Sequence, residues 1–426
     1  MSQLSNPTTG TAESVSADRF RRIRGMTLDL TADLSEEDCC VQSQTCCSPV
    51  KWHLGHTSWF FERFIVRQIL GADAYDERFE FLFNSYYNAI GTRQPRSQRG
   101  LLTRPGLGEI MAFREVVDDR VSRALERGDL DDDGLALVEL GLSHEQQHQE
   151  LLLMDVKHLF SCSPLGVSYA SEGRPAPADP GPTTDVAFDG QIASIGSCFG
   201  AHPAIFDNEC PEHRVFVEPF TLADRLVTNG EYLEFINDGG YTRPDHWLDL
   251  GWRVAGTAGW SSPAYWQQVN GEWHEFTLYG PQPIDLASPV VHVSYFEADA
   301  FARWAGARLP TEFELELAWE RGSEGAMLCS RAFHPGTACE PDGRIRQLIG
   351  DTWEWTSSSY GPYPGYCKPD GAVGEYNGKF MCNQYVLRGG SCVTPRDHIR
   401  STYRNYFEPE ARWQFAGIRL ARSVNA

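Results

Sequence analysis

Residues 161–185 set the organisation of the chain, because their composition turns to Pro, Gly, Ser and Asp, with prolines at 175, 177, 180 and 182. Such a stretch sustains neither a helix nor an inner strand, since each proline lacks a backbone donor and fixes its own φ. It reads as a linker over 163–185, and the two sides of it obey different rules. Over residues 20–160 apolar side chains recur at helical spacing. Trp59, Phe60, Phe64, Ile65 and Ile69 mark one stripe within 52–70. Leu135, Val138, Leu142, Leu152, Val156 and Leu159 mark another, and a short amphipathic segment is expected over 118–126. A helical bundle over 18–162 is the economical reading. The remainder, 186–426, is rich in Gly, Trp, Tyr and short apolar runs between turns. Helices are expected there over 295–305 and from Thr311, with Glu314 completing a capping box, to Glu320. With no βαβ alternation and no phosphate loop, this half reads as α+β.

Charge narrows the partners. Lys and Arg number 37 against 58 Asp and Glu, a formal net charge of −21. That balance disfavours nucleic acid and anionic membranes, which both need a basic face. No uninterrupted apolar stretch reaches the about 18 residues of a membrane span. The polar, Ser- and Thr-rich start lacks the basic and apolar regions of a secretion signal. A cytoplasmic location is expected, with the 12 cysteines reduced. Cys39-Cys40 and Cys46-Cys47 lack CxxC spacing and read as incidental.

The chemistry begins at His144-Glu-Gln-Gln-His148. Imidazoles at i and i+4 of a helix share a face and can reach one cation. The run matches HExxH literally, so a zinc-protease reading would make Glu145 the base. The bland alternative is two surface histidines on an acidic helix. A third imidazole is available from Trp52-His53-Leu54-Gly55-His56, and spacing does not choose between His53 and His56. Gly55 would let a neighbouring helix come close. Three neutral imidazoles on one metal leave coordination positions open.

"KWHLGHTSWFFERF", "NSYYNAIG", "HEQQHQELLL" and "YNGKFMCNQYVLRGGSC" together resemble the ergothioneine-synthesising sulfoxide synthases, non-haem iron enzymes, from about residue 20 to 422. The resemblance implies an N-terminal DinB-like four-helix bundle and a C-terminal formylglycine-generating-enzyme-like domain of C-type-lectin-like fold. The second module is carried by "PEHRVFVEPFTLADRLVTNGEYLEF", "PVVHVSYFEADAFARWAGARLPTEFELELAWERG", "IGDTWEWT" and "FAGIRLA". It also implies Fe(II), small-molecule substrates and O2, with the sulfur of cysteine joined to C2 of hercynine (N-alpha-trimethylhistidine) as a sulfoxide. The implied iron ligands are His56, His144 and His148, which leaves His53 a structural or supporting role.

Further roles follow from the same resemblance. Tyr86-Tyr87 looks like the double tyrosine of the cysteine-using branch, with Tyr87 favoured over Tyr86 as proton donor and Tyr376 left behind the site. Aromatic packing is the competing reading. Arg96 and Arg99 have the spacing of the family's thiol-binding arginines, suited to a carboxylate. A solvated loop charge is the alternative, above all for Arg99. Gln147 and Asn405 match hercynine-contacting positions. Phe407 stands where the γ-glutamylcysteine-using branch has an acidic residue, and Tyr406, Phe407 or Trp413 could face a trimethylammonium group.

Formylglycine generation is the competing activity of the second module. It needs a cysteine pair whose register here falls on Thr394 and Ile399, while Cys392 is offset and alone. Relatives using γ-glutamylcysteine, ovothiol-type enzymes acting on histidine, and selenosugar-using enzymes would share the metal motif.

Overall fold

The computed structural model describes residues 15–202, 204–339, 341–371 and 373–424, so the polar start over 1–14 lies outside the described residues. Its first half is helical: α1 (Ala17–Thr31), α2 (Val50–Phe61), α3 (Arg78–Phe83), α4 (Leu107–Arg127) and α5 (Asp132–Ser161). α2 runs on into a π-helical turn, Glu62–Arg67. Helices α1, α2, α4 and α5 pack around one apolar core. Local chemistry fixes their ends. Ser16 Oγ accepts from Arg19 N at the start of α1, and Asp131 does the same for Gly134 N at the start of α5. Gly128, at φ 71°, closes α4 in the left-handed conformation. The segment expected over 118–126 is thus the last part of a 21-residue helix. Its buried stripe begins at Ile110 and Phe113, but charged neighbours dilute the pattern there.

Helices come close at two glycines, the expected Gly55 and also Gly141. At Gly55 the Phe83 ring of α3 covers α2, and an added Cβ would lie 2.4 Å from Phe83 Cε1. Gly141 of α5 faces α2, where an added Cβ would lie 2.5 Å from Phe61 Cε1. Gly141→Ala should therefore lower stability. Overpacking costs about 1–3 kcal/mol, more than the about 1 kcal/mol alanine gains in a helix interior. A thermal or urea midpoint at or above that of the parent would refute this.

The second half carries α6 (Asn229–Asn237), α7 (Asp249–Ala258), α8 (Tyr295–Trp304) and α9 (Glu312–Ala318) among short sheets. The Thr311–Glu314 capping box is present, and a 3-10 turn over Trp319–Arg321 follows α9. A four-stranded sheet orders Asn405–Phe407, Tyr385–Arg388, Trp353–Ser359 and Ala416–Gly417, with the last pair parallel. Behind the Asn405 strand, Glu312 of α9 takes two contacts from Arg404, at 2.8 and 3.0 Å, and one from Arg388 at 3.1 Å. All three are buried. Such paired buried charges hold a strand end in place where an isolated one would be expelled.

Helix α5 joins the halves. At 3.6 residues per turn, Gln146, Glu150 and Lys157 share one stripe, and His144, His148 and Asp155 lie on the opposite one. The first stripe bonds to the second half. Gln146 Nε2 donates to Asp397 Oδ1 at 2.6 Å. Glu150 accepts from Trp353 Nε1 (2.5 Å), Thr394 Oγ1 (2.6 Å) and Ser391 Oγ (3.3 Å). Lys157 Nζ lies 2.6 Å from His292 Nε2. The histidine-bearing helix is thus fixed from both sides, and a single apolar cluster contains residues of both halves. Among the described residues, no helix is long and apolar enough to cross a membrane.

Candidate active site

His56 on α2 and His144 and His148 on α5 bring one nitrogen each to within 4.8 Å of one another. Two of these atoms, His56 Nε2 and His144 Nε2, are 3.0 Å apart. Burial is the largest influence on all three rings. It pushes His56 and His148 well below the usual imidazole range, helped by the neighbouring rings, and holds His144 at about 3 despite the Glu145 carboxylate. Neutral imidazoles with lone pairs converging on one point are the donor set of a divalent transition metal. Their supports differ. His56 is stacked between Trp52 (4.5 Å) and Trp59 (5.7 Å), and its Nδ1 lies 2.6 Å from the Phe83 carbonyl. That carbonyl can only accept, which leaves Nε2 free to ligate. His53 is not a member of the cluster: it sits behind His148, with its Nδ1 2.7 Å from His148 Nδ1.

Glu145 points elsewhere. Its carboxylate, fully buried, takes Arg24 Nη1 at 2.7 Å, Arg114 Nη2 at 2.6 Å and Thr27 Oγ1 at 2.5 Å. Burial alone would raise its pKa, but Arg114 and Arg24 outweigh that and hold it at about 2. A carboxylate committed to two guanidinium groups, Arg24 of α1 and Arg114 of α4, is no base for water at the histidines, and the zinc-protease reading of HExxH fails.

The cluster opens on a cavity of about 260 Å³ between the two halves, lined among others by His144, His148, Gln147, Tyr86, Arg96, Arg99, Tyr376, Asn405 and Phe407. Arg99 and Arg96 differ sharply. Arg99 is 4% exposed, lies over the Trp52 ring at 3.3 Å, and donates to Ser48 Oγ at 2.8 Å and Ser85 Oγ at 3.3 Å. No carboxylate among the described residues pairs with it, and its Nε has no partner. The solvated-charge alternative, weighed above all for Arg99, thus fits Arg96, which is exposed and donates to the Cys46 carbonyl. Sequence spacing cannot see that a loop arginine is roofed by a tryptophan.

Gln147 is held by the second half: its Nε2 donates to Tyr403 Oη at 2.8 Å, and its Oε1 accepts from Tyr376 Oη. Asn405 caps its own strand, accepting from Tyr406 N at 2.9 Å, and Phe407 meets Trp413 edge-on at 5.2 Å. The tyrosine pair needs a correction. Tyr86 lines the cavity, whereas Tyr87 does not. Tyr87 is fully buried against Tyr86, Trp59 and Phe64, at 4.7, 5.8 and 5.7 Å, and its hydroxyl interacts with that of Tyr86. Tyr376, left behind the site on sequence grounds, is on the wall with its ring 5.8 Å from that of His144. Burial raises all three phenols well above their ordinary range, so each keeps its proton. Tyr403, which orients Gln147, and Trp52, which roofs both His56 and Arg99, were missed. The Trp-His spacing in "KWHLGH" was the available signal for the second.

Comparison with known proteins finds relatives of both halves of the chain. The DinB superfamily matches residues 19–152, and the sulfatase-modifying factor enzyme 1-like domain matches 183–344 and 329–424. A hercynine oxygenase of Mycobacterium tuberculosis is 32% identical over 432 residues, covering 95% of this chain and 97% of that protein. The chain belongs to the hercynine oxygenase family. Ergothioneine biosynthesis protein 1 of Schizosaccharomyces pombe is 29% identical over 232 residues, 51% of this chain and 27% of that one. A formylglycine-generating enzyme of Streptomyces coelicolor is 31% identical over 308 residues, which cover 58% of this chain and 91% of that protein. In this chain the cysteine-pair register holds Thr394, bonded to Glu150, and Ile399, packed near Gly390. Cys392 is buried, and all 12 cysteines are free.

Proposed function

We propose that the chain is a non-haem iron(II), O2-dependent sulfoxide synthase that joins the sulfur of cysteine to C2 of hercynine. The observation that carries this reading is a cluster of three neutral imidazoles, two of which (His144 and His148) line the cavity, facing a buried guanidinium on the same cavity that has no carboxylate of its own. Supporting it are the hercynine oxygenase relatives that match end to end. His56, His144 and His148 would hold the iron, which supplies redox chemistry and open positions for a thiolate, an imidazole and dioxygen. The residues do the rest. Arg99 receives the carboxylate of the thiol substrate, and Trp52 fixes the plane of its guanidinium. Gln147, clamped by Tyr376 and Tyr403, presents an amide to hercynine, and Asn405 faces it from the other module. Tyr86, a neutral phenol on the wall, holds a proton for the oxygen of the forming sulfoxide, while the Tyr376 hydroxyl is spent on Gln147. Tyr87 backs Tyr86.

Cysteine is favoured over γ-glutamylcysteine for two reasons. The cavity, about 260 Å³, lies below the about 300–1,000 Å³ usual for ligand sites. Phe407 also places an apolar ring on the wall at the position where the γ-glutamylcysteine-using branch has an acidic residue. Arg99→Leu should raise the KM for cysteine by at least tenfold, since a charge-assisted bond is worth about 1.5–3 kcal/mol, while the KM for hercynine changes little. Steady-state kinetics with each substrate varied separately checks this. An unchanged cysteine KM would move the thiol site away from Arg99, and faster turnover with γ-glutamylcysteine would overturn the choice of donor.

A further inference from the structure

His53 lies outside the three-nitrogen cluster, yet it is only 2% exposed and stands between two polar groups. Its Nδ1 is 2.7 Å from His148 Nδ1, and its Nε2 is 3.1 Å from Asp155 Oδ2. The same Oδ2 accepts from Ser48 N at 2.7 Å, and Ser48 Oγ accepts from Arg99 Nη1 at 2.8 Å. An unbroken line of buried contacts therefore runs from the guanidinium wall to His148.

Proton counting gives that line a direction. A carboxylate has no proton to give, so the donor in the Asp155 contact is His53 Nε2–H. A neutral imidazole protonated on Nε2 has only a lone pair on Nδ1. The proton between the two rings must then belong to His148 Nδ1, and the lone pair of His148 sits on Nε2. That is the nitrogen remote from His53 and available to a cation. If Asp155 were absent, His53 could carry its proton on Nδ1. His148 would then have to accept on its own Nδ1 and carry its proton on Nε2, where a metal would be blocked.

We propose that Asp155 is a positioning residue that acts through His53 to fix the tautomer and orientation of His148 for a divalent cation, with Ser48 tying the same carboxylate to Arg99. This rests on reading the three histidines as a metal site. Outer partners of metal-bound histidines carry about 10–100-fold in metal affinity.

The test is anaerobic Fe(II) titration, with Co(II) absorption as a second readout, of the full-length parent and three variants. Asp155→Ala and His53→Phe should each weaken metal binding about 10–100-fold and change the Co(II) bands. Asp155→Asn should stay close to the parent, because its amide oxygen can accept from both His53 and Ser48. His53→Phe keeps an aromatic ring beside Trp52, and it carries the test if Asp155→Ala fails to fold. Parental affinity and spectra in His53→Phe or Asp155→Ala would overturn the proposal. So would an Asp155→Asn variant as weak as Asp155→Ala, since charge rather than orientation would then be at work. A parent that binds neither Fe(II) nor Co(II) would overturn the metal reading itself, an outcome distinct from parent-like variants.

Discussion

His144→Ala is expected to abolish stoichiometric iron binding and reduce sulfoxide formation to background. His144 shares the point of convergence with His56 Nε2 at 3.0 Å, and both belong to the one group of three potential ligands found among the described residues. Removing it leaves two nitrogens, so the loss should exceed the about 10–100-fold attached to outer partners. Alanine also preserves helix propensity, which keeps α5 intact. Its ring is in contact with Phe60 (5.0 Å) and Tyr376 (5.8 Å), so some packing is lost as well. The fold should therefore be followed alongside metal content. Iron retained at parental stoichiometry in a folded variant would remove His144 from the ligand set.

Glu145→Ala, one residue along, should act in a wholly different way. The side chain is 0% exposed and compensates Arg24 and Arg114, themselves 2% and 1% exposed. Breaking a buried ion pair by removing one partner costs about 3–5 kcal/mol, because the other charge is left uncompensated. Here two guanidinium groups share the loss, although Arg24 keeps Asp118 at 2.7 Å. The variant should thus unfold at markedly lower urea or temperature, while any folded fraction still binds iron. A catalytic base would give the opposite pattern, with stability kept and turnover lost. That pattern would revive the metalloprotease reading of HExxH.

These two neighbours show what the sequence could and could not convey. The i, i+4 spacing put His144 and His148 on one face, and helical periodicity outlined the bundle before any coordinates. The choice between His53 and His56 was not legible from spacing; only the family resemblance picked His56, the one found in the cluster. Residues three apart on a helix differ by only about 60° in direction, so both point toward α5. One meets the cluster and the other meets His148 from behind, a distinction made by translation along the helix rather than by facing. The role of Glu145 was hidden because its partners, Arg24 and Arg114, lie on α1 and α4, far off in sequence. The wall contributed by Tyr403 and Trp353 was equally hidden, since those side chains lie more than 190 residues beyond the end of α5 in the chain. The burial of Arg99 was not legible because it depends on Trp52, whose ring lies 3.3 Å from the guanidinium although it is 47 positions away in the chain.

The central claim is that this cavity performs oxidative C–S bond formation, and the most direct measurement is product analysis. The protein is reconstituted anaerobically with Fe(II), mixed with hercynine and cysteine, exposed to air, and the products are weighed by mass spectrometry. Hercynyl-cysteine sulfoxide, formed only when iron, both substrates and O2 are all present, is the predicted result. Oxygen consumption without that product, with iron bound, would contradict the account.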